Sequence, residues 1–194
     1  TDLSNADLTG VNMLSSNLKN AILVDVNLDG ANLRNADLRN AVLQKTNLSN
    51  TILTGADLSN ADLTGADLSR ADITLAFLTG ADLTNTDLTE TNFFYADLTN
   101  VTLPENGLTG KNFKYATFNN VDLSGKDLSR SDFSLAKFDN ANLENSIFTS
   151  ADFVDVDFTK IKNKSLAGSD ISLAALAHSD LSGVNLSDVT MDRT

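Results

Sequence analysis

The sequence predicts an all-β solenoid, in which the chain winds into stacked coils of twenty residues. Three observations carry this prediction. A large apolar residue recurs every five positions from Leu3 to Phe158, in 32 repeats without a break. The position two residues after it is Gly or Asn in 18 of those repeats, and similar residues also recur at intervals of twenty. A period of five fits neither the 3.6 residues of a helix turn nor the 2 of a strand, so the chain must bend at regular intervals.

Each repeat is predicted to be a short extended segment followed by a turn. The position two residues before the apolar centre is Ala, Val, Ser or Thr in 29 of 32 repeats, which indicates that it points inward with the centre. Gly and Asn share a tolerance for positive φ, and they mark the turn. A turn every five residues makes the chain coil.

Columns of like residues give the length of one coil. Phe93, Phe113, Phe133 and Phe153 are twenty apart, as are Phe118, Phe138 and Phe158. In the turn position the same spacing relates Asn20, Asn40, Asn60, Gly80, Asn100, Asn120 and Asn140. Four segments per coil make a square, in which stacked rings fill one side of the interior and stacked amides bond along a corner.

At this point the chain resembles the pentapeptide-repeat family, whose motif is A(D/N)LXX. Near-perfect copies occupy residues 56–60, 61–65 and 66–70, and the resemblance spans essentially the whole chain. It implies a right-handed quadrilateral parallel β-helix, which this length would extend over roughly nine to ten coils. The resemblance says little about activity, because one fold supports many functions.

The five-residue frame slips once, where three extra residues enter. We therefore expect an uninterrupted solenoid over residues 1–158, a protruding loop over 159–165 and continuing coils of the same domain over 166–194. A capping helix over 166–178 is the alternative. Neither end of the sequence shows a capping helix, so a homodimer joined through the uncapped ends, or a flanking segment beyond them, is expected.

Composition and charge narrow the classes of partner. The formal net charge is -12, which argues against direct binding to nucleic acid or to an anionic membrane, since both need a basic surface. The chain has no cysteine, so it can form no disulfide or thiolate metal site. No signal peptide or membrane-spanning stretch is recognisable. We expect a soluble protein with protein partners of unknown identity, and the cytoplasm is slightly favoured.

Functional residues should lie where the repeat is broken, and the first break is a row of large apolar residues in the turn position. The row contains Leu75, Tyr95, Tyr115 and Leu135, and Phe77 and Phe94 lie beside it. Neighbouring rows carry Gly and Asn. The six residues are predicted to form an exposed apolar stripe across four coils, which often marks a protein contact. The alternative is that they only pack against neighbouring corners.

The second break lies in the inward small-residue position, where Asn106, Lys111 and Lys126 replace Ala, Val, Ser or Thr. An unpaired lysine is costly to bury. We therefore expect both lysines to reach outward and the wall to bulge near residues 104–107. A purposeful contact site is the alternative.

The third feature is an acidic belt over residues 46–110, which hold nine acids and one base, Arg70, for a net charge of -8. The acids are Asp57, Asp62, Asp67, Asp72, Asp82, Asp87, Glu90, Asp97 and Glu105. Over about 16 Å of stacked coils this is one charge per roughly 2 Å, close to the one per about 1.7 Å of duplex DNA. The whole chain carries only one per roughly 4 Å.

The resemblance gives this belt a functional alternative. Some pentapeptide-repeat proteins mimic DNA and inhibit or protect type II topoisomerases such as DNA gyrase. The long inserted loops of some topoisomerase-protecting members are not recognisable here. The acids also have an explanation without function, because Asp is the family's habitual residue before the apolar centre.

The fourth feature is a basic loop at the frame slip, formed by Lys160, Lys162 and Lys164. It is the one basic cluster on an acidic chain. It is predicted either to recognise an acidic partner, including the acidic face of a second copy, or to be a solvated linker.

No catalytic, cofactor or metal chemistry is predicted. A filled solenoid lacks the concave site that catalysis requires. His178 is the single histidine and falls in an outward turn position. No spacing resembles a calcium loop or a phosphate-binding loop. We therefore predict a non-enzymatic scaffold for protein–protein interaction, with the apolar stripe as its contact.

Overall fold

Turns recur every five residues along the chain, and single extended residues between them form parallel bridges. The computed structural model describes all 194 residues, Thr1–Thr194. In a regular repeat the residue before the apolar centre bridges to its equivalent in the next coil, and the two residues after the centre form the turn. The helices are two short 3₁₀ turns, Phe158–Lys160 and Lys162–Lys164. Neither has the length or apolar character that a membrane crossing requires.

The turn geometry explains the preference for Gly and Asn. The turn residue adopts a positive φ in nearly every repeat, for example +57° at Asn20 and +70° at Gly80. Gly and Asn enter this left-handed region readily, whereas a bulky side chain enters it at a cost of about 1–2 kcal/mol. Glu105 and Lys160 are the two turn positions outside it, and both lie beside irregular backbone.

The chain divides into two compact units, Thr1–Gly107 and Leu108–Thr194. The division follows residues 104–107, where the backbone leaves the regular turn pattern, as the replaced inward residues predict. Lys111 is only 8% exposed, so the outward placement expected for this lysine is wrong. Lys126 is partly exposed. The total of nine to ten coils stays a prediction.

In the first unit the coils stack with a period of twenty residues. Asp62 bridges to Asp82. The Leu63 amide donates to the Asp82 carbonyl at 2.8 Å, and the Asp82 amide donates to the Ala61 carbonyl at 3.0 Å. Leu63 and Ala61 are buried. The small residue and the centre therefore fill the interior, while the residue between them faces outward.

Buried hydroxyl groups replace some of the inward small residues. Thr46 Oγ1 donates to the Leu23 carbonyl at 2.6 Å, across a separation of 23 residues. Thr86 bonds the carbonyl of Leu63 in the same way, at 3.1 Å. Because the preceding coil presents a carbonyl within reach, Ser and Thr at these positions satisfy their hydroxyls in the interior. Ser16 lies in the first coil, where no earlier coil supplies that carbonyl, and its buried hydroxyl has no partner.

Phenylalanine rings dominate the interior of the second unit and form the two predicted columns. One column contains Phe113, Phe133 and Phe153, and the other contains Phe118, Phe138 and Phe158. Within the columns the rings stack nearly parallel, with centroids 5.1 to 6.4 Å apart. Between the columns they are tilted or meet edge to face, which are the favoured offsets of aromatic pairs.

The period changes after Phe158. Ile147 bridges to Asp170, and Ser169 Oγ donates to the Leu143 carbonyl across 26 residues instead of 23. The extra residues are taken up by the two 3₁₀ turns. Twenty-residue pairing then resumes between Ser165 and Asn185. Turns and bridges, rather than a capping helix, occupy residues 166–178.

Candidate protein-binding surface

One corner of the first unit carries four large apolar side chains, Leu75, Phe77, Phe94 and Tyr95, which we call the corner patch. The Leu75 amide donates to the Phe94 carbonyl at 3.0 Å, so Leu75 and Tyr95 occupy the same corner in adjacent coils. The rings of Phe94 and Tyr95 meet edge to face, with centroids 5.1 Å apart. Phe77 follows Leu75 by two residues and faces outward from the next wall.

The corner patch combines exposure with backbone strain. Leu75 and Phe77 are each 51% exposed and Tyr95 is 46% exposed, while Phe94 is half-buried. Leu75 and Tyr95 both adopt φ +60°. A Gly or Asn would relieve the strain at these positions, as it does at most other turns. Backbone strain and apolar exposure both oppose folding. Residues that combine the two are typical of a functional surface.

Tyr115 and Leu135 occupy one corner of adjacent coils in the second unit, where the Tyr115 amide donates to the Ser134 carbonyl at 3.0 Å. They adopt φ +61° and +62°. Leu135 is exposed and Tyr115 is half-buried, with Lys114 Nζ 5.8 Å from its ring centroid. One continuous stripe through all six predicted residues stays a prediction.

Carboxylates flank the corner patch. Phe77 bridges to Asp57 in the preceding coil and to Asp97 in the following one, so the ring lies between two acids in one column. Arg39 Nε lies 3.6 Å from Asp57 Oδ2. Asp97 accepts hydrogen bonds from the Thr99 amide at 3.0 Å and the Thr79 hydroxyl at 3.2 Å.

The predicted acidic belt encircles the first unit instead of forming one surface. Asp57, Asp62, Asp67 and Asp72 lie in four successive segments of a coil, and each therefore faces outward from a different wall. Asp62 bridges to Asp82, and the other walls carry comparable or smaller columns. A partner that approaches from one side meets only a few of the charges.

The aspartates also have a structural role within their own turns. Asp62 accepts the Thr64 amide at 3.0 Å, and Asn47 accepts the Ser49 amide in the same way, also at 3.0 Å. Asp and Asn side chains have the right length to bond the amide two residues on, and this bond holds the turn. The chain's preference for Asp over Glu, 23 to 3, follows from this geometry.

Hydrogen bonds keep several of these carboxylates ionised. Burial raises the pKa of Asp62, but hydrogen bonds from Thr64 and Gln44 outweigh it, so the pKa lies below its ordinary value. The hydrogen bond from Arg39 is the largest influence on Asp37 and lowers its pKa to about 2. The outward charge of these walls therefore persists well below neutral pH.

The basic loop is balanced by acids of its own unit. Lys160 Nζ lies 3.1 Å from Asp157 Oδ2, and this hydrogen bond raises the pKa of Lys160. The charge of Lys162 acts on Asp122, and that of Lys164 acts on Asp180. The role of Lys160, Lys162 and Lys164 as a contact site stays a prediction.

A shallow groove of about 400 Å³ lies beside this loop. Its charged lining consists of Lys137, Asp139, Asp155, Asp157 and Lys160. No group of three or more His, Cys, Asp or Glu side chains is arranged to hold a metal ion. His178 lies in an exposed turn, as its position in the repeat predicts.

Other exposed apolar residues escaped the sequence reasoning: Leu14, Ile22, Ile147, Leu173 and Met191. In the sequence, each of them is an apolar residue at an outward, turn or terminal position of a repeat, and this pattern could have identified them. Leu173 is the most instructive because it shares the exposure and positive φ of Leu75 but lies in the second unit.

Comparison with known proteins identifies the repeat. The family model for pentapeptide repeats matches the chain in eight copies, over residues 1–40, 31–70, 41–80, 66–103, 112–149 and 127–162. No curated protein has a significantly similar sequence.

Solved structures with the same repeat resemble the chain. QnrB1, a plasmid-mediated fluoroquinolone resistance protein, is 16% identical over 98% of this chain and 89% of its own, with a TM-score of 0.56. HetL, involved in heterocyst differentiation regulation in the cyanobacterium Nostoc sp. strain PCC 7120, is 24% identical over 97% of this chain and 86% of its own, with a TM-score of 0.39.

A third solved structure is that of a pentapeptide repeat protein from the thylakoid lumen of Arabidopsis thaliana. It is 40% identical over 53% of this chain and 68% of its own, with a TM-score of 0.21. The family match and the likeness to QnrB1 agree on a right-handed β-helix solenoid.

Proposed function

Because the chain belongs to the pentapeptide-repeat family, whose members generally mediate protein interactions, we propose that it is a non-enzymatic scaffold that binds a partner protein. The contact surface in the first unit is the corner patch. Tyr115 and Leu135 are a second contact in the other unit.

The main observation behind this proposal is that Leu75 and Tyr95 are exposed and that both adopt a left-handed backbone conformation. Replacing either by Asn would remove apolar exposure and relieve strain together. Retaining large apolar residues where both effects oppose folding supports selection for binding. Aromatic side chains supply much contact area at low entropic cost, and they are common binding hot spots.

The test is affinity capture with the immobilised chain, using the double variant Leu75→Asn, Tyr95→Asn. The partner should be retained at least tenfold less well, because two apolar anchors are lost. Leu173→Asn is the matched control, since it changes an equally exposed turn leucine in the second unit. Thermal melts should show that the double variant is at least as stable as the parent, because Asn relieves the turn strain. Full retention of every partner by the double variant would refute the proposal.

The second candidate function is inhibition or protection of a type II topoisomerase such as DNA gyrase by DNA mimicry. The charge density of the acidic belt favours it, while the distribution of the acids over four walls weakens it. Mimicry requires that duplex DNA compete with the partner and that moderate salt release it. Binding through the corner patch should survive both treatments.

The variant Asp62→Asn, Asp82→Asn separates the two functions on the protein side. Asn keeps the turn hydrogen bond, as at Asn47, and removes only the charge. A mimic should lose gyrase inhibition with each neutralised pair, whereas a scaffold should not change. Light scattering on the purified chain checks the predicted homodimer.

A further inference from the structure

We propose that the corner patch binds a partner segment in which an aromatic or aliphatic anchor is flanked on both sides by Lys or Arg. This inference rests on the proposed function. The anchor covers Phe77 and Leu75. The flanking cations meet Asp57 and Asp97.

The column through Phe77 sets this pattern. Asp57, Phe77 and Asp97 are paired in three successive coils, so the acids lie one coil to either side of the ring. At a strand spacing of about 4.8 Å, the two carboxylates are about 10 Å apart along the column with the ring between them. A charged position on each side of an apolar one is therefore built into a single wall.

The local charge stays negative after the nearby arginine is counted. Arg39 donates to Asp37 at 2.8 and 2.5 Å, and it lies farther from Asp57, at 3.6 Å. Asp97 accepts from neutral threonine donors. The wall thus carries three carboxylates, at Asp37, Asp57 and Asp97, against Arg39 and Lys19, whose charge also acts on Asp37, so its net charge stays negative.

Desolvation selects the partner. An apolar group that covers Phe77 also removes water from the carboxylates on either side of it, and an ionised carboxylate is costly to desolvate without a partner. Lysine or arginine beside the anchor replaces the lost water. An acidic or uncharged segment would not compensate Asp97 and would leave Asp57 with only the 3.6 Å contact to Arg39, so the same surface that attracts the anchor discriminates by charge.

The experiment is selection of random dodecapeptides, displayed on phage, against the immobilised full chain. The enriched peptides should carry an apolar residue with Lys or Arg on both sides. The double variant Asp57→Asn, Asp97→Asn should bind them about tenfold more weakly, a change of about 1.4 kcal/mol. Asp67→Asn, Asp87→Asn on a different wall is the matched control and should bind normally.

Phe77→Asn separates this inference from the proposed function. Asn occupies the same outward position in many repeats, so the variant should fold, and a thermal melt checks that it does. Enriched peptides that need Phe77 but show no basic pattern would overturn the inference and leave the proposed function standing. Peptides that ignore Phe77, or no enrichment at all, would overturn both.

Discussion

The two units are built from the same repeat, but they differ in the side chains that fill the interior and in net charge. In the first unit almost every centre is Leu, Ile or Met, and Phe93 is the single aromatic centre. In the second, seven of the centres are Phe. The formal net charge is -9 for residues 1–107 and -3 for residues 108–194. The repeat therefore specifies positions inside and outside without specifying what chemistry fills them.

The difference shows how each chemistry is organised by the stacking. A leucine packs against neighbours of almost any shape, so it needs no column. A ring at the centre gains most from another ring directly beneath it, which explains why phenylalanines recur at intervals of twenty in the second unit.

Truncating an aromatic centre should be the most costly change. Phe133→Ala should lower the free energy of unfolding by about 4 kcal/mol, because the ring stacks on Phe113 and Phe153 and its loss leaves a cavity between them. Urea denaturation measures the change. Phe133→Leu should cost much less, since Leu fills most centres. A loss below about 1 kcal/mol for the alanine variant would show that the columns do not stabilise the second unit.

Truncating an aliphatic centre should cost somewhat less. Leu63→Ala removes a fully buried side chain of the first unit and should lower the free energy of unfolding by about 3 kcal/mol. The same urea measurement applies. If this loss exceeded that of Phe133→Ala, aliphatic packing would be the tighter of the two.

Adding a methyl group at a corner should separate strain from crowding. Gly80 and Gly125 share φ +70°, but a Cβ at Gly80 would lie 2.5 Å from Asn60 Oδ1, and one at Gly125 would meet nothing within 4 Å. Gly80→Ala should cost about 2 kcal/mol and Gly125→Ala about 1 kcal/mol. Adding Asn60→Gly, which removes the amide and tolerates the φ of +56° at that turn, should recover the difference. Equal costs for the two glycines would mean that the Asn60 amide moves aside freely.

Low pH should destabilise the fold, because several aspartates accept hydrogen bonds in the folded state as ionised carboxylates. The folded pKa values of Asp37 and Asp62 lie below those of the unfolded chain, so the ionised forms stabilise the folded state. This stability is complete above the unfolded value of about 3.9 and is lost as the pH falls towards about 2. Melting temperatures measured from pH 6 to pH 2 should be level at first and then fall. A rise below pH 4 would mean that relief of repulsion in the acidic belt outweighs the lost hydrogen bonds.

Neutralising one carboxylate should have the smallest effect. Asp62→Asn keeps the acceptor for the Thr64 amide and should change the free energy of unfolding by less than about 0.5 kcal/mol. Asp62→Ala removes the acceptor and should cost about 1 kcal/mol. If both variants lost the same amount, charge rather than the turn hydrogen bond would explain the aspartate.

Sequence reasoning succeeded where the repeat is regular. The twenty-residue columns, the outward Asp62, the buried Leu63 and the phenylalanine stacks of the second unit all follow from periodicity. It failed at Lys111, because a rule about the cost of burying lysine does not say how the wall around it adapts. It also treated the aspartates as habitual, since a hydrogen bond to the amide two residues on leaves no mark in the sequence beyond a preference for short acceptors.

The corner patch was predictable only in part. The row of large turn residues, their positive-φ turn position and the acids twenty residues to either side of Phe77 all follow from the repeat. The exposed fraction of each side chain and the edge-to-face contact of Phe94 with Tyr95 do not, because they depend on packing in the folded chain.

The repeat alone is enough to predict that the chain coils, because an apolar centre and a turn every five residues give each segment an inner and an outer side. Packing settles what the repeat leaves open: Leu75 and Tyr95 remain about half exposed, Asp62 bonds the Thr64 amide and Lys111 is buried. A five-residue pattern sets the direction of each side chain, whereas exposure and hydrogen bonding depend on contacts that form only in the folded chain.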